Sequence, residues 1–249
     1  MDIILNYFSS FEIFLFSLLV VFIGAIAQSA LGIGFGIPGC LLILVDPLMV
    51  PPAIVLMGTF LAFSNAFLSF RDILVKDLFF SLSGRVVGTL ISIPLISLTY
   101  GTNNFLIIFG LLLLIAIPLT AKKWDLIASA KNVIIAGFCS GFMGTLTGVG
   151  GPPMGIVYQN SKSKNVVATL NMFFGFGALF SVIVLTYIGL LNFDIALKCL
   201  FLSPSVILGM IFGRLDAVKV YVNVKFKFLI LIICTISAFL VLGQALISY

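Results

Sequence analysis

Residues 146–160 read LTGVGGPPMGIVYQN, in which four glycines and two adjacent prolines interrupt sequence that is otherwise almost wholly apolar. Glycine and proline both disfavour the interior of a helix, so the stretch predicts a break in a helical segment. Long apolar runs precede and follow it, which places the break inside a membrane rather than in a soluble loop. The fold of the chain depends on what this interruption does.

The composition is that of an integral membrane protein. Of 249 residues, 62% are apolar and 8% are charged, and the mean hydropathy is +1.32, values that lie far outside those of soluble domains. Eight long apolar stretches leave no room for a soluble domain, so residues 1–249 are predicted to form a single transmembrane domain. These stretches are 11–30, 48–70, 78–99, 105–121, 132–147, 166–191, 196–213 and 228–248. The N-terminus lacks the basic region of a cleaved signal peptide, so we expect the first stretch to remain as a span.

The chain contains an internal repeat. An offset of 116 residues, which sets Leu31 against Thr147, aligns LGIGFGIPGCL with TGVGGPPMGIV, and each segment lies between two long apolar stretches. Three glycines of one segment then fall on three of the other: Gly32, Gly34 and Gly39 on Gly148, Gly150 and Gly155. We expect two homologous halves, about 1–121 and 122–249.

The distribution of Lys and Arg decides how often each half crosses the membrane, because cytoplasmic loops hold an excess of both. With four crossings per half, the basic residues outside the spans divide six and six between the two faces. If the short segments after the glycines, about 35–45 and 152–159, also cross, eleven fall on one face and only Lys198 on the other. The eleven are Arg71, Lys76, Lys122, Lys123, Lys131, Lys162, Lys164, Arg214, Lys219, Lys225 and Lys227. This asymmetry predicts five passes per half, with both termini outside, and therefore inverted repeats.

The fold class predicted is an all-α polytopic membrane protein with eight long helices and two short broken segments. A helix of 8–12 residues covers only about 12–18 Å, so the glycine loops must complete each short crossing. Irregular backbone at membrane depth is tolerated where it lines a protein interior or a cavity. In transporters with inverted repeats, such broken helices direct helix N-termini at anionic substrates. Packing of helices through small residues is the alternative use of the same glycines.

The chain resembles the sulfite exporter TauE/SafE family, also called the four-toluene-sulfonate uptake permease family, over nearly its whole length. Two stretches carry most of this resemblance. They are GAIAQSALGIGFGIPGCLLI, residues 24–43, and GFMGTLTGVGGPPMGIVY, residues 141–158. The resemblance implies transport of small anions that often contain sulfur, such as sulfite, sulfoacetate, thiosulfate or organosulfonates. It further implies a location in the bacterial cytoplasmic (inner) membrane.

The polar residues near the glycine loops are the candidate substrate-binding groups. Arg85 is the only Lys or Arg well inside a span; an intramembrane charge is a functional candidate, and a side chain that snorkels to the headgroups is the alternative. Hydroxyls and amides that flank the loops could donate to an oxyanion or bond their own helix backbone. The predicted substrate-binding residues are Gln28, Ser29, Gly32, Gly34, Gly36, Asn65, Arg85, Thr145, Thr147, Gly148, Gly150, Gly151, Pro152 and Asn171.

Other functional classes are disfavoured. The chain has no His, no paired Cys motif and no Walker A sequence, so we expect no enzyme activity, no metal and no cofactor. Basic residues spread over short loops do not indicate a nucleic-acid partner. The expected partners are a small anion and the lipid bilayer, and a homo-oligomer is left open. A secondary carrier or facilitator working as an exporter is favoured, with an anion channel or a membrane subunit of a larger complex as the alternative.

Overall fold

The computed structural model describes residues 7–122, 124, 126–160 and 163–247, without the side chains of 220–221, 223–231, 233–234 and 247. Lys123 and Lys162, both counted in the charge argument, lie outside the described residues, as do the side chains of Lys225 and Lys227. All regular structure in the described part is helical. The α-helices are α1 (Phe11–Leu31), α2 (Gly36–Gly39), α3 (Pro52–Phe67), α4 (Val75–Thr99), α5 (Asn103–Ala121), α6 (Ala130–Thr147), α7 (Gly151–Tyr158), α8 (Lys164–Tyr187), α9 (Phe193–Gly213) and α10 (Asp216–Ile247).

Short 3₁₀ helices complete the chain at Cys40–Leu44, Pro47–Met49 and Phe70–Asp72. The first of these continues α2, so residues 36–44 form one short helical segment and α7 forms the other. Five helices of the described residues are long and apolar enough to cross a membrane by themselves. They are α1, α4, α5, α8 and α9. The chain is therefore a multi-pass membrane protein.

Local sequence sets the helix ends. Four helices begin after a side-chain cap, in which Ser or Asn accepts a hydrogen bond from the backbone N–H three residues further on. The capping residues are Ser10 (α1), Ser129 (α6), Ser163 (α8) and Asn192 (α9). At the other end, α1 and α6 both stop at a glycine with left-handed backbone, Gly32 at φ 76° and Gly148 at φ 75°. The N–H of each glycine bonds the carbonyl four residues earlier, at 2.8 and 2.9 Å.

The helices pack in pairs that join one half of the chain to the other. The most extensive pairs are α4 with α6, α3 with α8, α1 with α9 and α5 with α10. Glycines allow the closest of these approaches: a Cβ added at Gly84 or Gly88 of α4 would lie 2.0 or 2.1 Å from a carbonyl oxygen of α6. Gly209 and Gly213 of α9 meet carbonyls of α1 in the same way, at 2.6 and 2.5 Å. Small-residue packing of this kind is typical of membrane helices.

Candidate functional site

The two glycine loops, residues 32–35 and 148–150, lie against each other in the interior. A Cβ added at Gly36, just after the first loop, would lie 2.0 Å from the Gly148 carbonyl oxygen of the second. A Cβ at Gly151 would lie 3.8 Å from the backbone nitrogen of Gly34, whose φ of 119° also favours glycine. Only a bare backbone allows the two broken segments to meet this closely.

Arg85 of α4 lies beside this junction. Its side chain is 2% exposed, and its Nη1 donates to the Ser140 carbonyl at 3.1 Å and to Ser140 Oγ at 2.7 Å. The Ser140 hydroxyl in turn donates to the carbonyl of Gly150 at 2.6 Å. A hydrogen-bonded chain therefore connects the guanidinium to the second glycine loop.

The guanidinium has no counter-ion among the described residues, where every ion pair involves a lysine. It lies over two rings of α8, 5.2 Å from the centroid of Phe173 and 5.5 Å from that of Phe174. Its Nε is buried without a hydrogen-bond partner. Cation–π contact offsets only part of the cost of removing a charge from water. The arrangement favours the approach of an anion.

A small pocket of about 40 Å³ adjoins the guanidinium. Its lining combines Arg85 with backbone of both glycine loops and with the apolar side chains of Ile54 and Phe174. Because one water-sized sphere occupies about 10–15 Å³, the pocket has room for about three such spheres. The pocket therefore suits a few non-hydrogen atoms rather than an extended molecule.

A second and much larger cavity, of about 700 Å³, begins on the other side of the loops. Its deep end is formed by Ile33, Ile37 and Gly151, and its outer part by residues near the ends of α5, α7 and α9. Among the described residues, three cations line it: Lys164, Arg214 and Lys219.

A hydrogen bond joins a residue that lines the pocket to a residue that lines the cavity. Gln28 of α1 lines the pocket, Asn171 of α8 lines the cavity, and Gln28 Nε2 donates to Asn171 Oδ1 at 3.1 Å. The same nitrogen donates to the Gly32 carbonyl at 3.2 Å, and Gln28 Oε1 accepts from Phe35 N at 3.4 Å. Gln28 thus ties the first glycine loop to both helices.

The structure brings most of the predicted site residues to one of these two spaces. Around the small pocket lie Gln28, Gly34, Gly36, Arg85, Gly148, Gly150 and Gly151. Around the large cavity lie Ser29, Asn65, Asn171, Gly151 and Pro152. Gly32, Thr145 and Thr147 line neither. Gly32 packs on α8, Thr145 bonds Thr89 and Ser181, and Thr147 bonds the Met143 carbonyl and the Val149 N–H.

Several residues at the site are not among those predicted from the sequence. Ser140, Gly177, Phe173 and Phe174 surround Arg85, and Arg214 lines the cavity. No local pattern points to the first four, because their roles arise only when α4 packs between α6 and α8. Arg214 carried a weak pattern, since it directly follows a long apolar stretch, but that position was explained by topology.

Polar contacts also join the far ends of the two short segments to the opposite half. Asp46, after the first segment, pairs with Lys198 of α9 at 2.5 Å. Tyr158, at the end of α7, is 5% exposed and donates to Asp77 of α4 at 3.0 Å. Each contact joins the far end of one short segment to a long helix of the other half.

These features define a class: a multi-pass helical membrane protein whose broken helices meet beside a large cavity and a buried cation that has no ion pair among the described residues. A sequence model of the sulfite exporter TauE/SafE family matches residues 17–241, which include both glycine loops, Arg85 and the cavity. The chain therefore belongs to the sulfite exporter TauE/SafE family of membrane transporters. Searches among curated proteins and among solved structures gave no match.

Proposed function

We propose that the protein is a secondary carrier or facilitator that exports small oxyanions, sulfite and related sulfur compounds among them, across the bacterial cytoplasmic membrane. Arg85 is its anion-binding group. The observation that carries this proposal is the position of the guanidinium, which is buried beside the junction of the two glycine loops with no carboxylate partner in the described part of the chain.

An anion improves the electrostatics of this position. The guanidinium uses one nitrogen in its bonds to Ser140, and its planar set of N–H donors matches two oxygens of an oxyanion. A bound anion replaces the missing counter-ion and offers an acceptor to the unsatisfied Nε. Water, in contrast, leaves the charge uncompensated.

The inverted-repeat arrangement is part of the proposal, and the helix pairs support it. With α1–α5 matched to α6–α10, exchange of the halves turns the α4–α6 pair into α9–α1 and maps the α3–α8 and α5–α10 pairs onto themselves. The left-handed caps at Gly32 and Gly148 are related by the same 116-residue offset. In transporters of this design the substrate lies where the repeats meet.

The pocket at Arg85 favours small inorganic oxyanions over organosulfonates as the transported species. Sulfite has one sulfur and three oxygens, which is close to the content that about 40 Å³ admits. A sulfonate with a carbon skeleton extends beyond this space. The direction follows from the membrane potential, because an inside-negative membrane favours anion export by about 2.3 kcal/mol per charge per 100 mV.

Thermal stability of the purified protein in a panel of solutes tests the substrate class. A ligand that binds only the folded state raises the apparent melting temperature by mass action. We expect sulfite and thiosulfate to raise it most and neutral solutes to leave it unchanged. Stabilisation by neutral or cationic solutes alone would contradict the proposal.

Counterflow of sulfite into proteoliposomes tests the role of Arg85. Arg85→Gln should raise the concentration for half-maximal transport by about 5–150-fold, since about 1–3 kcal/mol of charged hydrogen bonding is lost. Arg85→Lys should retain part of the affinity, because it keeps the charge and loses the two-oxygen geometry. Unchanged concentration dependence in Arg85→Gln would remove Arg85 from the site.

A further inference from the structure

We propose a second oxyanion subsite in the large cavity, formed by Arg214, Asn65 and Ser29, which takes up the anion before it reaches Arg85. This inference rests on the proposed function and adds a site to it. A linear set of hydrogen bonds joins the three residues: Arg214 Nη1 donates to Asn65 Oδ1 at 3.2 Å, and Asn65 Nδ2 donates to Ser29 Oγ at 2.9 Å. The three come from α3, α1 and the residue that follows α9.

Among the described cations of the cavity, Arg214 is the one without an ion pair. Of the three cations that line the cavity, Lys164 pairs with Asp72 at 2.8 Å and Lys219 pairs with Asp216 at 2.9 Å. Arg214 has no carboxylate within 4 Å in the described part of the chain. It donates instead to the neutral amide of Asn65.

The hydrogen bonds of the cluster leave donors rather than acceptors. Asn65 is 2% exposed, and both ends of its amide are occupied. Its Oδ1 accepts from Arg214, and its Nδ2 donates to Ser29 and to the Leu61 carbonyl, the latter at 3.1 Å. Ser29 is 5% exposed, accepts from Asn65, and has no recorded acceptor for its own hydroxyl proton among the described residues. Among the described residues, Arg214 uses one guanidinium nitrogen, Nη1, in a hydrogen bond. A cation with a free hydroxyl donor beside it fits a sulfite or sulfonate head.

The subsite and the Arg85 pocket are in series. Both spaces reach Ile37 and Gly151, and the Gln28–Asn171 hydrogen bond links the lining of one to the lining of the other. The outer space is many times larger, about 700 Å³ against about 40 Å³. A bulky sulfonate therefore fits the outer subsite and not the inner pocket, so it should bind and block transport without being carried.

Binding of toluenesulfonate and transport of sulfite test the outer subsite and the Arg85 pocket separately. We expect toluenesulfonate to bind the purified wild-type protein, measured by calorimetry, and to inhibit sulfite counterflow. Arg214→Gln should weaken toluenesulfonate binding about tenfold or more, and Arg214→Lys should restore part of it. Arg85→Gln should leave toluenesulfonate binding unchanged while it impairs sulfite transport.

Lys164→Gln is the matched control, because it removes one cavity charge that is already ion-paired and whose side chain is 78% exposed. It should bind toluenesulfonate like the wild type. Equal weakening in Lys164→Gln and Arg214→Gln would reduce the effect to general cavity charge and overturn the subsite. Unaltered binding in a folded Arg214→Gln protein would also overturn it, while impaired sulfite transport in Arg85→Gln would leave the proposed function standing.

Discussion

Arg85 reaches its position because three glycines leave room for it. A Cβ added at Gly177 would lie 2.0 Å from Nε, one at Gly150 would lie 2.9 Å from Nη1, and one at Gly144 would lie 3.2 Å from Nη2. The glycines come from α8, the second glycine loop and α6. The guanidinium therefore rests on bare backbone from three elements, which fixes its position without a counter-ion.

Gly177→Ala should displace the guanidinium. The added methyl overlaps Nε, so either the arginine or α8 must shift, at a cost of about 1–3 kcal/mol in stability. We expect sulfite counterflow to fall well below the level explained by any loss of folded protein in the membrane.

Gly243→Ala provides the control for that change, because it is a helical glycine of α10 with nothing within 4 Å of an added Cβ. It should leave transport unchanged and stability equal or slightly higher, as alanine favours helix. Equal transport in Gly177→Ala and Gly243→Ala would mean that the location of Arg85 is not needed for activity.

The sequence predicted Arg85 as an interior charge because charge inside an apolar stretch is visible without tertiary structure. It did not predict the surroundings, since Ser140 and Gly177 are 55 and 92 residues away along the chain. The two short segments were anticipated within about a residue at each end, because glycine and proline act locally on the backbone. Arg214 was missed because a basic residue at a helix end has an ordinary explanation in topology.

At the scale of the elements, the two short segments differ in the type of helix that they contain. The first passes from α2 into a 3₁₀ helix at Cys40, whereas α7 is a single α-helix of eight residues, about 12 Å long. Pro152 and Pro153 occupy the first turn of α7, where a missing N–H breaks no helical hydrogen bond. Both segments are too short to cross the bilayer without the glycine loops.

Labelling of single cysteines tests whether both short segments cross. With the four native cysteines replaced, Thr102→Cys and Ser163→Cys introduce thiols at exposed positions before α5 and α8. Three passes, α5, α6 and α7, separate them in the ten-pass arrangement. We expect an impermeant reagent to label Thr102→Cys in intact cells and Ser163→Cys only after permeabilisation.

An eight-pass arrangement leaves two crossings between these positions and puts both thiols on the same face. Labelling of both from outside, or of neither, would therefore contradict ten passes.

At the scale of the whole molecule, the cavity is open toward Lys164 and Lys219, and the Asp46–Lys198 pair belongs to the other end. Tyr100 adds a contact there, because its hydroxyl donates to the Leu48 carbonyl. Burial first, and the Asp46 carboxylate second, raise the pKa of Tyr100, so the phenol remains a donor. These bonds hold the first short segment against α9 and the end of α4, and in the proposed carrier they favour a state closed at that end.

Breaking the Asp46–Lys198 pair should reduce the population of the state in which the large cavity is open and the opposite end is closed. Side-chain exposures of 27% and 16% limit the pair to about 1 kcal/mol, a factor of about five in population. We expect Lys198→Ala to slow the alkylation of a cysteine placed at Asn160, which lines the cavity.

Lys198→Arg should keep the wild-type alkylation rate, because it retains the charge that pairs with Asp46 and leaves the hydrogen bond from Leu48 N to Asp46 Oδ1 in place. Identical rates in the wild type, Lys198→Ala and Lys198→Arg would show that the pair has no influence on which end is open.

The position that corresponds to Arg85 in the second half of the chain carries no charge. The offset that sets Leu31 against Thr147 places Phe201 against Arg85, so only one half carries the buried cation. If the two halves descend from one gene, a pair of identical ancestral chains would have carried any such arginine twice or not at all. A single chain in which each half changes alone can carry it once, and an anion at such a site faces one guanidinium instead of two.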